Sequence, residues 1–278
     1  MKSQQLILFR LLMKMNFKGA IMKGEIITSL DNPMVKEARS LLEKKYRRFH
    51  GKFLVDGKKL VNEVVLGAAE VDKIFVDSTR LAEFDEILSR FDGRVVPVSA
   101  KILDSLSENA TPQGILAEVF MKETGEFVVE NDEPILILDR IQDPGNLGTI
   151  IRTASASGFC KIVLIDTADQ FSPKVVRSSS GGIFYTDIYR MSENEIINFC
   201  KKNNIEMLVA DMGGENIYKM QKPTGSFALV IGNEGQGVSD NFSKAGKIVS
   251  LPMKEQMESL NAGICASILM YELVGDKI

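Results

Sequence analysis

The chain has 278 residues, room for two domains, and its 45% hydrophobic and 26% charged content is that of an ordinary globular protein. A net charge of −3 excludes a uniformly basic nucleic-acid coat, and three widely spaced cysteines with a single histidine, His50, exclude a disulfide framework, a zinc cluster and a Ser-His-Asp or Cys-His engine. The average hides an asymmetry: residues 34–59 hold nine Lys/Arg against three acids, whereas from residue 132 onward there are 14 basic and 18 acidic residues. A basic module joined to a mildly acidic one suggests that one part holds a polyanion while the other does chemistry. Cys160 and Cys265 lie in apolar contexts and read as buried small hydrophobes, in keeping with a reducing, cytoplasmic location.

In chain order, residues 6–15 are apolar but interrupted by Arg10 and Lys14, too short a run to span a bilayer. Residues 1–23 therefore read as a disordered extension, or as an over-long start with Met22 as initiator, with a membrane-surface helix as the alternative. No other segment is able to cross a membrane. Residues 24–121 read as a small α/β domain. A basic helix over 34–46 follows Asn32-Pro33; strands fall at 53–55, 71–76, 94–98 and 113–121; helices fall at 57–66, 82–90 and 100–107. The acidic, weakly periodic stretch 122–133 reads as a linker. In 134–278, apolar strands at 134–138, 161–165, 206–210, 227–231 and 247–251 alternate with helices at 148–157, 193–203 and 261–274. Continuous apolar runs, unlike alternating ones, predict a parallel sheet covered on both faces.

Three segments end such runs in turn-forming residues, where an α/β protein places its ligand site. In Asp143-Pro144-Gly145-Asn146-Leu147-Gly148, Pro144-Gly145 turns the chain and Asn146 is positioned to cap the next helix, which carries Arg152. The bland alternative is a capped helix with a surface arginine. In Gly232-Asn233-Glu234-Gly235-Gln236-Gly237, the glycines allow close backbone approach and positive φ. No Walker lysine accompanies them, the spacing is not that of a dinucleotide fold, and Glu234 repels anions while tolerating a cationic ligand. In the third segment Leu251-Pro252-Met253 ends a strand, and Ser259 or Asn261 caps the terminal helix, whose Ile264, Ile268 and Tyr271 predict a core or subunit-interface face. No His/Asp/Glu cluster has metal-ligand spacing. In the basic module Lys44, Lys45, Arg47 and Arg48 interleave with Tyr46 and Phe49, an arrangement suited to RNA contact or to a solvated helix face. Arg177, before Ser178-Ser179-Ser180-Gly181-Gly182, is a second candidate phosphate contact or a structural residue at a helix start.

At these motifs the chain resembles the SpoU-type (TrmH-like) RNA 2′-O-ribose methyltransferases of the SPOUT superfamily. The run from Asp139 to Thr153 carries the first motif through Asn146 and Arg152; Ile231-Gly232-Asn233-Glu234-Gly235 carries the second; Leu251-Pro252-Met253 with Ser259-Leu260-Asn261 carries the third. One departure is Ala262-Gly263, where the family often has a Val-Ser pair. Phe53-Leu54-Val55-Asp56-Gly57 and Thr111-Pro112-Gln113-Gly114-Ile115 resemble the ribosomal-protein-like substrate-binding domain that often precedes the catalytic one. The resemblance implies a parallel-sheet domain tied in a deep trefoil knot, an exception to unknotted topology. It also implies a homodimer, no metal, and S-adenosylmethionine held by Ala210, Asp211, Met212, Gly213, Ile231, Gly232, Leu251, Met253, Leu260 and Asn261. Arg152 is the implied catalytic residue, either binding the adjacent phosphate and stabilising an alkoxide or acting as a base in an unusual site; Asn146, Glu234, Ser259 and Asn261 would orient the reactants. The expected substrate is structured RNA, with 23S ribosomal RNA favoured. The alternatives are transfer RNA, a base methyltransferase of the same superfamily, and a non-catalytic RNA-binding protein.

Overall fold

The computed structural model describes residues 26–67, 69–91, 93–254, 256 and 259–275; the extension expected at 1–23 lies outside them. The chain forms two compact units, the second made of residues 123–170 and 174 onward.

In the first unit, helices α1 (Pro33–Ser40) and α2 (Lys44–His50) precede strand β1 (Lys52–Asp56) and helix α3 (Lys58–Leu66). Strand β2 (Val71–Asp77), helix α4 (Asp85–Leu88), strand β3 (Val95–Val98), helix α5 (Ala100–Leu106) and strand β4 (Ile115–Phe120) complete it. The sheet order is β1-β4-β2-β3, with β4 antiparallel to both neighbours and β2 parallel to β3. Asn32 caps α1 by accepting from the Met34 amide, and Pro33 opens the helix without forfeiting a needed donor. Val35, Ala38 and Leu41 then pack against Phe75, Val96 and the α5 residues Ile102, Leu103 and Leu106.

Two expectations change here. The single helix predicted over 34–46 is two helices broken at Leu41–Glu43, because the Arg47 side chain binds the Leu41 and Leu42 carbonyls and diverts the second helix. The helix predicted over 82–90 is a 3₁₀ turn, Leu81–Phe84, followed by the single turn α4.

A charged cluster lies on one face of this sheet. The Lys52 ammonium is 2.9 Å from Glu37, 2.6 Å from Asp72 and 3.3 Å from the fully buried Glu118. Lys73 adds a contact to Asp72 and lies 3.5 Å from the other Glu118 oxygen. Burial works against the Lys52 charge, yet hydrogen bonds to Asp72 and Glu37 hold its ammonium above the ordinary lysine value. Burial in turn pushes the Glu118 carboxyl up, against the pull of Lys73 and Lys52.

In the second unit, β5 (Ile135–Asp139), α6 (Pro144–Ser157), β6 (Lys161–Ile165), α7 (Pro173–Ser178), β7 (Asp187–Arg190) and α8 (Glu193–Lys202) come first. They are followed by β8 (Glu206–Asn216), β9 (Phe227–Ile231), α9 (Asp240–Ala245), β10 (Lys247–Ser250) and α10 (Ala262–Val274). All six strands are parallel, in the order β10-β8-β9-β5-β6-β7. The parallel sheet is as the apolar runs predict; β5 and β9 are buried at every position. The edge strand β7 was not predicted, since Asp187-Ile188-Tyr189-Arg190 reads as a short, half-polar stretch.

Residues 122–133 are more than a linker. Phe127 and Val129 pack on the core of this unit, and the Phe127 ring lies 4.9 Å from Tyr189 and 4.8 Å from Phe199 in edge contacts. Cys200 is buried, with burial pushing its thiol up to about 11, whereas Cys160 and Cys265 are half-buried, contrary to the expectation for that pair. Among the described residues no helix is long and apolar enough to cross a membrane.

Candidate active site

Three loops at the carboxyl ends of the parallel strands converge in the second unit. The first follows β5. Asp139 is buried, accepts from the Ser239 amide at 2.8 Å and pairs with the Arg140 guanidinium at 3.0 Å. Arg140, at φ 58°, also donates to the Gln236 side chain and the Gly237 carbonyl, so the end of β5 is clamped to the loop after β9.

That second loop folds tightly on itself. Asn233 accepts from the Gly235 and Gln236 amides and donates to the Arg140 carbonyl at 3.0 Å. A Cβ on Gly232 would lie 2.4 Å from the Gly237 carbonyl carbon, so only glycine permits the crossing, and Gly237 itself takes φ 65°. Gly235 meets neither requirement, a correction to the expectation that all three glycines serve the backbone.

Asp143 is the cap of α6, not Asn146 as predicted. Its carboxylate accepts from the Asn146 amide at 2.8 Å, and Pro144 takes the first helical position. That backbone bond, with Lys174 nearby, holds the Asp143 carboxyl below the usual carboxylate range. The shift of register frees the Asn146 side chain. Its amide donates to Glu234, and its oxygen accepts from the Asn261 amide at 2.9 Å. Asn261 in turn caps α10 through the Ile264 amide. Asn146, Glu234 and Asn261, one from each motif, therefore form one hydrogen-bonded chain.

A cavity opens beside this chain. Of the residues implied to hold the cofactor, Ala210, Asp211, Met212, Ile231, Gly232, Leu251, Met253 and Leu260 line it, together with Glu234 and Ser259. Two expected cofactor residues do not line it: Gly213 faces open space, and Asn261 is engaged with Asn146. Residues 210–212 reach the cavity through a register jump. Ile248 of β10 pairs with Val209, but the next residue, Val249, pairs with Glu215, so the intervening residues bulge. Gly214 permits this, since a Cβ there would lie 2.5 Å from the Val249 nitrogen.

Sequence reasoning missed Asn233, Val249, Ser250, Ala262, Cys265 and Leu269 as lining residues. Ala262, Cys265 and Leu269 share one face of α10 at three- and four-residue spacing, a signal that was available. The outer face of that helix is not core: Ile264 and Tyr271 are exposed.

Arg152 lies on α6, exposed, with no hydrogen-bond or ion-pair partner among the described residues, and it does not line the cavity. Its backbone is braced by Gly182, whose missing Cβ would sit 3.0 Å from the Arg152 Cα. Arg177 is exposed in the last turn of α7, so it ends a helix instead of starting one. α7 packs on α6 where Gly148 faces Ser178, at a separation no Cβ tolerates.

In the first unit Lys44, Lys45 and Arg48 are exposed on α2. Arg47 is not available as an RNA contact. It is 3% exposed, and its guanidinium donates to the Leu41 and Leu42 carbonyls, both at 2.7 Å.

The cavity wall has no lysine or arginine among the described residues; glycine and aliphatic side chains meet the carboxylates of Asp211 and Glu234. Such a wall suits an apolar heterocycle joined to a cationic group and rejects a polyphosphate. The SpoU rRNA Methylase family description matches residues 133–271, half of the chain. The chain belongs to this family. The MRM3-like substrate binding domain matches residues 32–117. The chain is 34% identical to the 23S rRNA (guanosine(2553)-2'-O)-methyltransferase RlmP of Bacillus subtilis over 90% of this chain and 99% of that protein. Its fold matches an AdoMet-bound rRNA methyltransferase from Sinorhizobium meliloti with a TM-score of 0.83 at 26% identity, covering 94% of this chain and 100% of the other. It also matches the SpoU methyltransferase AviRb of Streptomyces viridochromogenes in complex with AdoMet, with a TM-score of 0.81 at 28% identity, covering 88% and 98%. The fold is thus that of the SPOUT methyltransferases, with an amino-terminal substrate-binding domain.

Proposed function

We propose that this chain transfers the methyl group of S-adenosylmethionine to a ribose 2′-hydroxyl of large-subunit ribosomal RNA, acting in the cytoplasm as a homodimer. The observation that carries the reading is the Asn146–Glu234–Asn261 chain beside a cavity with no basic side chain among its described lining residues. The relatives named above support ribosomal RNA as the substrate and S-adenosylmethionine as the cofactor. The exposed apolar residues Ile264 and Tyr271 of α10 support a second copy of the chain as partner. The knotted path is part of the same reading, supported by the fold matches to the methyltransferase structures named above.

The cofactor supplies an electrophilic methyl on a sulfonium whose departure needs neither an acid nor a metal. Gly232, Ile231 and Leu260 would hold the adenosine, with Glu234 on the side of the positive charge. The role of Arg152 is to bind the phosphate beside the target ribose and to stabilise the alkoxide that forms as the 2′-hydroxyl proton passes to water. Asn146, fixed from both sides by Glu234 and Asn261, orients the loops around the reacting groups.

The test is incorporation of labelled methyl from S-adenosylmethionine into purified 23S ribosomal RNA and into transfer RNA. Label in ribosomal RNA, recovered in nuclease-resistant dinucleotides, is expected. Label on a base, or in transfer RNA alone, overturns the reading.

A further inference from the structure

The first unit displays an aromatic ring that its own fold does not use. Helix α2 has one buried position, Arg47, which is tied to the carbonyls ending α1. With 100° of rotation per residue, side chains two positions either side of Arg47 lie nearly opposite it. Those are Lys45 and Phe49, four apart and neighbours on the outer ridge. Phe49 is 80% exposed, more than any other large apolar side chain among the described residues. Its ring contact is with the adjacent His50, edge to face at 4.9 Å. Lys45 places its ammonium 5.5 Å from the Tyr46 ring, and Lys44 and Arg48 flank the ridge, all exposed. Gly51, at φ 63°, ends the helix directly after this turn.

We infer that Phe49 is a stacking platform for an unpaired RNA base, with Lys44, Lys45 and Arg48 holding the phosphates on either side. The inference rests on the RNA-substrate reading above and adds to it the class of RNA segment recognised. An apolar ring at this position adds nothing to the core, and phenylalanine is not favoured over other residues in an exposed helix. Protein interfaces are depleted in lysine, whereas single-strand binders join a basic surface to aromatic rings on which bases stack. A paired helix hides its base faces and is gripped through phosphates and 2′-hydroxyls, which need no ring. The chemistry therefore selects a loop or single strand over a duplex.

The chain contains no tryptophan, so Phe49→Trp places a single, selectively excited tryptophan at the proposed contact. Full-length F49W is titrated with an RNA hairpin carrying an unpaired loop and with a duplex of the same stem. Strong quenching by the hairpin and little by the duplex is expected. F49A should bind the hairpin about ten-fold more weakly, and F49Y should bind it nearly as the parent does. Equal quenching by both RNAs, or an F49A affinity equal to that of the parent, overturns the inference. Methyl transfer by the parent is read in parallel. Its absence with loop-dependent quenching intact sinks the proposed activity and leaves the stacking standing; its presence without quenching sinks the stacking alone.

Discussion

Two arginines, one in each unit, are used in opposite ways. Arg47 stands in the most basic stretch of the chain, yet it is buried and its donors are engaged by the Leu41 and Leu42 carbonyls. Arg152 stands in a mildly acidic unit, exposed, with no partner among the described residues. Local charge density pointed to Arg47 as a contact for RNA, whereas the family resemblance pointed to Arg152 as the group beside the reacting ribose. What separates them is whether the guanidinium still has donors to offer. Arg47 sets the direction of a helix; in the proposed reaction Arg152 keeps its hydrogen bonds for a substrate.

The largest effect expected from this contrast is in Arg152→Ala. Loss of a donor at the developing charge should lower kcat by about 10²–10³, with S-adenosylmethionine affinity by calorimetry unchanged. Near-normal turnover would erase the distinction. Arg47→Met should instead act on stability. Leaving two carbonyls without their charged donor should cost about 1–3 kcal/mol in urea unfolding of the first unit. The salt slope of RNA binding should stay put, whereas removing the exposed Lys45 and Arg48 together should reduce that slope by about two without loss of stability. A salt slope that falls in Arg47→Met would return this residue to the RNA-contacting set.

The smallest effect concerns the cap beneath Arg152. Asp143→Ala should destabilise the second unit by about 1 kcal/mol. Because the folded state holds this carboxyl below its ordinary value, chiefly through the Asn146 amide, the contribution is present above the ordinary aspartate range and is lost as pH falls through the depressed value. Stability curves of parent and D143A should therefore begin to converge at about pH 4 and meet below the depressed value. A gap that persists there would show that the capping charge is not its source.

Much of this was legible in the chain. The strands Ile135–Asp139 and Phe227–Ile231 are continuous apolar runs, and such runs mark parallel, doubly covered strands wherever they occur. The motif residues were legible too, through resemblance. Their union was not, because Asn146 meets Glu234 and Asn261 across 88 and 115 residues of sequence, a distance no local spacing encodes. Errors arose where two residues competed for one task. Asp143 and Asn146 both have capping side chains, and Pro144 at the first helical position was the clue that favours Asp143. The break after Ser40 was hidden for a related reason: Leu41-Leu42-Glu43 carries no helix-breaking residue, and the cause is a side chain, Arg47, reaching back from the next helix.

The lysine at the centre of the first unit has one further consequence. Glu37, Asp72 and Glu118 bring carboxylate oxygens within 4.8 Å of one another, a donor set of the kind hard divalent cations take. Lys52 fills that centre with a charge that is covalently part of the chain. Structured RNA is handled in magnesium, and a domain whose balance depended on captured magnesium would compete with its own substrate for the ion. A tethered counter-ion is immune to dilution and to chelators, so the charge balance of this cluster does not depend on the magnesium concentration.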